Sequence, residues 1–349
     1  MPSPAVRVPP SPRIPPLLAL SFPGCTACYG SPATVSRLCR QGSSGIMGRV
    51  TTTVAVFGSC NMDLVAYVGI APRRGETVLG REFRTAPGGK GANQAVAAAR
   101  AGAPTRFIGA VGDDELGERL QTALTEYGVN TDGLRTVTGN SGTAHIVVDD
   151  DGGNAIVVVP GANAAMDSLA PGDAELIAGC GALLLQLEIP FSGVESAAVA
   201  AREAGVPVIL TPAPAAELPE ALLANVDMLV PNEHEAAVLT GSDDPRAALR
   251  KLVNLVPEVV ITLGATGSLY GNRAGDIMEV PAHPVRAVDT TAAGDTFVGV
   301  LAATRAAGGE IEEAMQRASA ASALTVGRNG AMSAMPTDQE IREFRDAER

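Results

Sequence analysis

The chain has no Trp, and aromatic residues make up only 3% of its 349 positions. A large core must therefore be built from Ala, Val, Leu and Ile, whose small side chains demand close backbone packing. Only three His are present (His145, His234 and His283), scattered without metal-ligand spacing. His145 reads as an ordinary half-buried strand residue. No apolar run approaches the roughly 20 residues that a bilayer requires, which argues against a membrane role. Residues 1–50 hold no Lys and no acid, but carry Arg7, Arg13, Arg37, Arg40 and Arg49. The rest of the chain is thus more acidic than the total of −12. So acidic a body argues against nucleic acid and anionic membranes as partners. Any bound anion has to be held locally, by backbone N–H groups or a few basic side chains.

Cysteine is scarce too. Cys25, Cys28 and Cys39 fall in the first fifty residues. Cys25 and Cys28 have redox or zinc-like spacing but lack a second pair and a βαβ context, so they read as incidental. Cys60 and Cys180 lie in apolar stretches and read as small buried hydrophobes. This usage suits a reducing cytoplasm. Residues 1–49, rich in Pro, Ser and Gly, read as a disordered tail, or as an upstream misreading with Met47 as the true start.

From residue 50 onward the pattern alternates. Short apolar runs at 52–58, 105–112, 182–187, 206–211, 227–230 and 258–263 predict strands. Helical periods follow at 91–102, 115–127, 192–204 and 232–240. That rhythm predicts an α/β fold with a parallel sheet covered on both faces. Residues 64–86 and 142–160 lack it. "TAHIVVDDDGGNAIVVVPG" (143–161) alternates about a hairpin turn signal. The two stretches are expected to pair into a small β lid at the carboxyl end of the main sheet, closing over a ligand.

The segments that can carry chemistry flank these strands. "GSCNMDLV" (58–65) puts Asn61 and Asp63 after the first strand. "PGGKGANQA" (87–95) is a glycine-rich entry into a helix, with Gly89, Lys90 and Asn93. It has neither the P-loop spacing nor the dinucleotide fingerprint, which sets aside an NAD oxidoreductase. "QLEIP" (186–190) holds Glu188 past a buried strand. "PNEHEA" (231–236) spaces Asn232 and Glu235 as a capping box, or as an amide and an acid facing a phosphate–metal cluster through water. "TLGATGS" (262–268), with Thr262, Gly264 and Gly267, suits close approach to a nucleotide. "VDTTAAGDTF" (288–297) sets the small residues Ala292, Ala293 and Gly294 at a helix start, an anion hole with Asp295 beside it. Asp295 could equally be a simple helix cap. "GRNGA" (327–331) follows.

In this order, over about residues 52–336, these segments resemble the ribokinase (PfkB-type carbohydrate kinase) family. The resemblance implies a three-layer α/β/α fold with a mostly parallel sheet and a β lid. It implies ATP-dependent phosphorylation of the 5-hydroxyl of D-ribose, in the cytoplasm, by a homodimer joined through the lid. A fructokinase-like sugar or nucleoside kinase, or a non-catalytic sugar-binding paralogue, are the alternatives. The resemblance makes Asp295 the catalytic base, with Ala292, Ala293 and Gly294 as the anion hole. It assigns Asn61, Asp63, Gly89, Lys90, Asn93 and Glu188 to the sugar. Asn232, Glu235, Thr262, Gly264, Gly267 and Ser319 fall to the nucleotide, with Glu235 ordering Mg²⁺ through water. It assigns an activating K⁺ to Asp289, Thr291, Thr325, Arg328, Gly330 and position 334, where Ala334 replaces a familiar serine.

Overall fold

A computed structural model describes residues 51–347. The expectations for residues 1–49, including the Cys25–Cys28 pair, lie outside them.

Thirteen strands are formed among the described residues. In chain order they are β1 (Val54–Phe57), β2 (Asn61–Val68), β3 (Gly80–Gly88), β4 (Thr105–Gly112), β5 (Asn130–Val137), β6 (Gly142–Val148) and β7 (Asn154–Val159). Then come β8 (Ala182–Leu185), β9 (Val208–Leu210), β10 (Met228–Leu229), β11 (Glu258–Thr262), β12 (Ser268–Asn272) and β13 (Ile277–Val280). The main sheet has nine strands in the order β13-β12-β11-β10-β9-β8-β1-β4-β5. It is parallel from β11 to β5, and β12 and β13 add an antiparallel edge.

The strands are short and apolar because both faces are covered. Along β1, Val54 and Val56 pack on one side, and Ala55 and Phe57 on the other. Successive side chains point to opposite faces, so each strand feeds two cores. The first core is made with the helices Lys90–Arg100, Ala293–Ala306 and Ile311–Val326. The second is made with Phe191–Ala204 and Pro245–Leu252.

Strand order reverses at β1, which lies between β8 and β4. Such a switch point opens a crevice at the carboxyl ends of the strands, where ligands bind. Gly58–Cys60, Gln186–Glu188, Thr211, Asn232 and Thr262 all sit at that edge, at or just past the ends of β1, β8, β9, β10 and β11.

The second sheet has four strands, β3-β2-β6-β7, with β6 and β7 joined by the predicted hairpin. It starts earlier than the sequence pattern suggests. Asn61 and Asp63 are already part of β2, paired with Gly88 and Ala86 of β3. A strand of the small sheet, expected to form a lid, therefore carries two of the expected sugar residues directly. Along β7 every residue from Asn154 to Val159 is exposed.

The close approach of two alanine-rich helices depends on Gly299. A Cβ placed there would lie 2.6 Å from Ala97 Cβ and 2.6 Å from the Gln94 carbonyl oxygen. The contact also brings Asn93 and Gln94 against Asp295, one turn before Gly299. Replacing Gly299 with Ala is expected to force the helices apart, destabilising the fold by about 1–3 kcal/mol and lowering turnover. Thermal melts and a kinase assay check this; an unchanged melting temperature with full activity would contradict it.

Candidate active site

Asp295 stands in the first turn of the helix Ala293–Ala306, and that helix has no side-chain cap. The simple-cap reading is thereby removed. Its carboxylate faces inward: Oδ2 accepts from Asn93 Nδ2 at 3.1 Å, and Oδ1 accepts from Gln94 Nε2 at 3.1 Å. Burial pushes the Asp295 carboxyl above the usual range, against the opposing pull of Lys90 and the two amide donors. A buried carboxylate with a raised proton affinity is suited to accept a proton at neutral pH.

Beside it the backbone is strained. Ala292 has φ of 59°, and it is the one non-glycine residue with positive φ among the described residues. Strain of this kind persists where surrounding structure enforces it, often at working sites. Ala293 N–H closes a turn onto Thr290 O at 3.3 Å. The N–H groups of Ala292 and Gly294 have no backbone acceptor among the described residues. Of the expected anion hole, Ala293 is thus partly engaged, whereas Ala292 and Gly294 are open at the positive end of a helix.

Two cavities share this turn as a common wall. One, of about 230 Å³, is polar and is lined by Lys90, Asn232, Glu235, Gly294 and Asp295. The other, of about 350 Å³, is lined by Thr262, Gly264, Gly267, Ser319 and the segment from Ala282 to Ala287. Thr262, Thr290, Ala293 and Gly294 border both.

The expected sugar residues converge from β2, the segment after β8 and the start of the helix Lys90–Arg100. Gly89 begins that helix with φ of 92°, and a Cβ there would lie 2.8 Å from Asn61 N. Glu188 Oε2 accepts from Ser59 Oγ at 2.6 Å and from Lys90 N at 3.0 Å. It thus holds the helix entry, with Oε1 left over. Asn61 Oδ1 accepts from Asn163 Nδ2 at 2.7 Å. Asn93 Oδ1 is buried and has no hydrogen-bond partner among the described residues. Asp63 lies close to Glu188 and Asp295. Burial and those two negative charges push it up to about 7. The nearby Asp295 is the main influence holding Lys90 charged, raising it above its ordinary value.

Asn232 and Glu235 do form the capping box. Asn232 Oδ1 accepts from Glu235 N at 2.7 Å, and Glu235 Oε2 accepts from Asn232 N at 2.8 Å. They also line the polar cavity, so both readings of that motif apply to the same side chains.

Asp289 ties two loops together, its Oδ1 accepting from Thr291 N and its Oδ2 from Gly330 N, each at 2.9 Å. Burial raises it, but these bonds outweigh burial and hold it below the usual carboxylate range. The Thr325 hydroxyl is engaged with Ala321 O and Thr296 Oγ1. Arg328 pairs with Glu340 at 2.6 Å, and its Nη1 reaches Ala334 O at 3.5 Å. Arg328 and Ala334 can therefore offer a cation only carbonyl oxygens. No group of three or more His, Cys, Asp or Glu is arranged to hold a metal among the described residues.

A family model described as pfkB family carbohydrate kinase matches residues 51–338. The chain belongs to the pfkB family of carbohydrate kinases. A ribokinase of Bacillus subtilis is 43% identical over 297 residues, covering 83% of this chain and 98% of the relative. A deoxyribokinase of Salmonella typhi is 36% identical over 303 residues, with 83% and 98% covered. The structure of Arabidopsis thaliana ribokinase complexed with ribose and ATP superposes with a TM-score of 0.80 at 35% identity, covering 84% of this chain and 98% of that one.

Several residues of this carbohydrate kinase's site carry no sequence signal. Asn163 and Thr211 enter only through tertiary contacts, and Ser59 and Gln186, though inside the segments 58–65 and 186–190, gain a role only through them. The wall from Ala282 to Ala287 has no motif. Gln94 was visible, because it lies inside the glycine-rich helix entry.

Asp63 gives a pH test. Its native proton affinity is raised above the unfolded value, so the native state retains a proton that the unfolded chain has lost. Stability should fall as pH rises from about 4 toward about 7. Asp63→Asn removes that dependence. Melts without sugar are expected to show the variant gaining on wild type between pH 5 and pH 8; an equal difference at both values would contradict the assignment.

Proposed function

We propose that this kinase transfers the γ-phosphoryl group of ATP to the 5-hydroxyl of D-ribose. The observation that carries the reading is the buried Asp295 carboxylate on the wall shared by the two cavities, beside the open N–H groups of Ala292 and Gly294.

The charges select the acceptor. Asp63, Glu188, Asp295 and Glu235 gather around one another, and Lys90 is the only basic side chain among the described residues that line the polar cavity. Carboxylates accept hydrogen bonds from hydroxyls, and Asn93 Oδ1 lacks a donor that a ligand hydroxyl would supply. A neutral polyhydroxyl molecule is favoured, and an already phosphorylated sugar would meet like charge. Asn61, Asp63, Gly89, Lys90, Asn93 and Glu188 hold the sugar in this reading.

The nucleotide base takes the larger cavity, against Gly264, Gly267 and Ser319, with its phosphates directed over Thr262, Asn232 and Glu235. Asp295 takes the hydroxyl proton as that oxygen bonds to the γ-phosphorus. The bond from phosphorus to the bridging oxygen breaks, and ADP leaves. The reaction needs positioning and charge stabilisation more than covalent chemistry. Lys90 and the N–H groups of Ala292 and Gly294 face the charge that develops on the phosphoryl oxygens.

Mg²⁺, when bound, neutralises phosphate charge, and Glu235 would hold it through water. Its Oε1 is not used by the capping box, which suits an outer-sphere role. For K⁺, the oxygen donors around Asp289 suit a hard cation. Asp289 would fix the loop, and Thr291, Thr325, Arg328, Gly330 and Ala334 would present backbone oxygens.

The lid supports a homodimer. β7 is an edge strand, with Ile156, Val157, Val158 and Val159 all exposed, and exposed apolar edges of this kind favour pairing with a second copy. Cys60 and Cys180 are free and buried, in keeping with a reducing cytoplasm. No helix among the described residues is long and apolar enough to cross a membrane.

A coupled assay of ADP release tests this with ribose, deoxyribose, fructose and ribose 5-phosphate, with K⁺ or with Na⁺ in its place. Ribose with K⁺ is expected to give the highest kcat/KM, and phosphorus NMR of the product to locate phosphate on O5. Preference for another sugar would overturn the substrate, and equal rates in both salts would overturn the K⁺ site.

A further inference from the structure

Gln94 is fully buried, and its amide has three partners, of which the Asp295 carboxylate can only accept. Its Nε2 donates to Asp295 Oδ1 at 3.1 Å and to Thr211 Oγ1 at 3.2 Å. Its Oε1 accepts from Gln186 Nε2 at 2.7 Å, the shortest of the three. Gln186 is also fully buried, and it lines neither cavity.

A primary amide has one acceptor end and one donor end, and its orientation is set by its neighbours. Turning the Gln94 amide around would aim its oxygen at the Asp295 carboxylate, acceptor against acceptor. It would also set its NH₂ against that of Gln186. The Gln186 side chain keeps the productive sense at a visible cost: its own Oε1 is buried with no hydrogen-bond partner among the described residues. That oxygen lies where a Cβ on Gly58 would be. Glycine at 58 is thus what leaves room for Gln186 in this orientation. A buried acceptor without a donor is retained where surrounding structure enforces it.

We propose that Gln186 is a positioning residue for the base. Through Gln94 it fixes which way an amide N–H points, and so holds the Asp295 carboxylate in line for the attacking hydroxyl. It touches no substrate. The inference rests on the assignment of Asp295 as base.

Asp295 also faces Lys90 of the helix Lys90–Arg100, Glu188 beyond β8, Asp63 of β2 and Glu235 beyond β10. None of these touches Gln186 through a hydrogen bond, so a change at 186 reaches Asp295 through Gln94 alone.

Gln186→Met keeps the length of the side chain and removes its donor. We expect kcat to fall about 10- to 100-fold, with both KM values within about twofold of wild type. The acid limb of the kcat profile should move to higher pH, because a donor to the ionised carboxylate is weakened. In a Gln94→Met background the same change should add nothing further. A kcat within twofold of wild type, an unmoved acid limb, or additive effects would each overturn the proposal. Should Gln186→Met fail to fold, Gln186→Asn, which keeps an amide one methylene short, takes its place with the same expectations. Carbon-13 NMR titration of the Asp295 carboxyl, assigned with Asp295→Asn, reads the relay without turnover. Its midpoint should rise in the Gln186 variant, and an unchanged midpoint would contradict the relay. Failure of wild type to phosphorylate any sugar would count against the assigned reaction and leave that titration to decide the relay.

Discussion

The site depends on one buried carboxylate held between two helices that approach closely over Ala and Gly. Asp295 and Gly299 on one helix meet Asn93, Gln94 and Ala97 on the other. A carboxylate so deeply buried would ordinarily be expensive. Here two amides donate to it, Lys90 lies nearby, and helix N–H groups open beside it. The scarcity of aromatics and abundance of alanine now have a structural meaning. Helices faced with Ala and Gly approach closely enough for short amide side chains to reach across. The covered sheet beneath fixes both helices, and the switch point at β1 decides that they meet over the carboxyl ends of the strands.

Charge divides the labour across the shared wall. In the proposed reading the sugar side is rich in carboxylates, and burial first, then the charges of Glu188 and Asp295, raise the proton affinity of Asp63. A neutral ligand bearing hydroxyls relieves that crowding with hydrogen bonds. In the same reading the anionic side has few cationic side chains and would rely on backbone N–H groups and bound cations instead. The strongly acidic body, which discourages polyanionic partners, thus coexists with a site for a nucleotide.

Much of this could be read from the sequence, because the informative residues fall where chain geometry is local. Short apolar runs alternating with helical periods gave the parallel sheet. Glycines at 88, 89 and 91, and the small residues before Asp295, announced helix entries that approach a ligand. What escaped was tertiary. Gln186, Thr211 and Asn163 lie on separate elements and gain meaning only when β8, β9 and the turn after β7 come together. The beginning of the lid at Asn61 was hidden because β2 follows β1 with scarcely a turn. The antiparallel edge of β12 and β13 and the wall from Ala282 to Ala287 have no periodic or motif signal. Motif reading also left Asn232 and Glu235 as either cap or ligand residues, and the structure makes them a cap that faces the cavity.

The most direct measurement is the turnover of Asp295→Asn beside its affinity for nucleotide. If the carboxylate is the base, kcat should fall by about 10²- to 10⁴-fold, while the protein stays folded and binds ATP as wild type does. Activity within a few-fold of wild type would contradict the account.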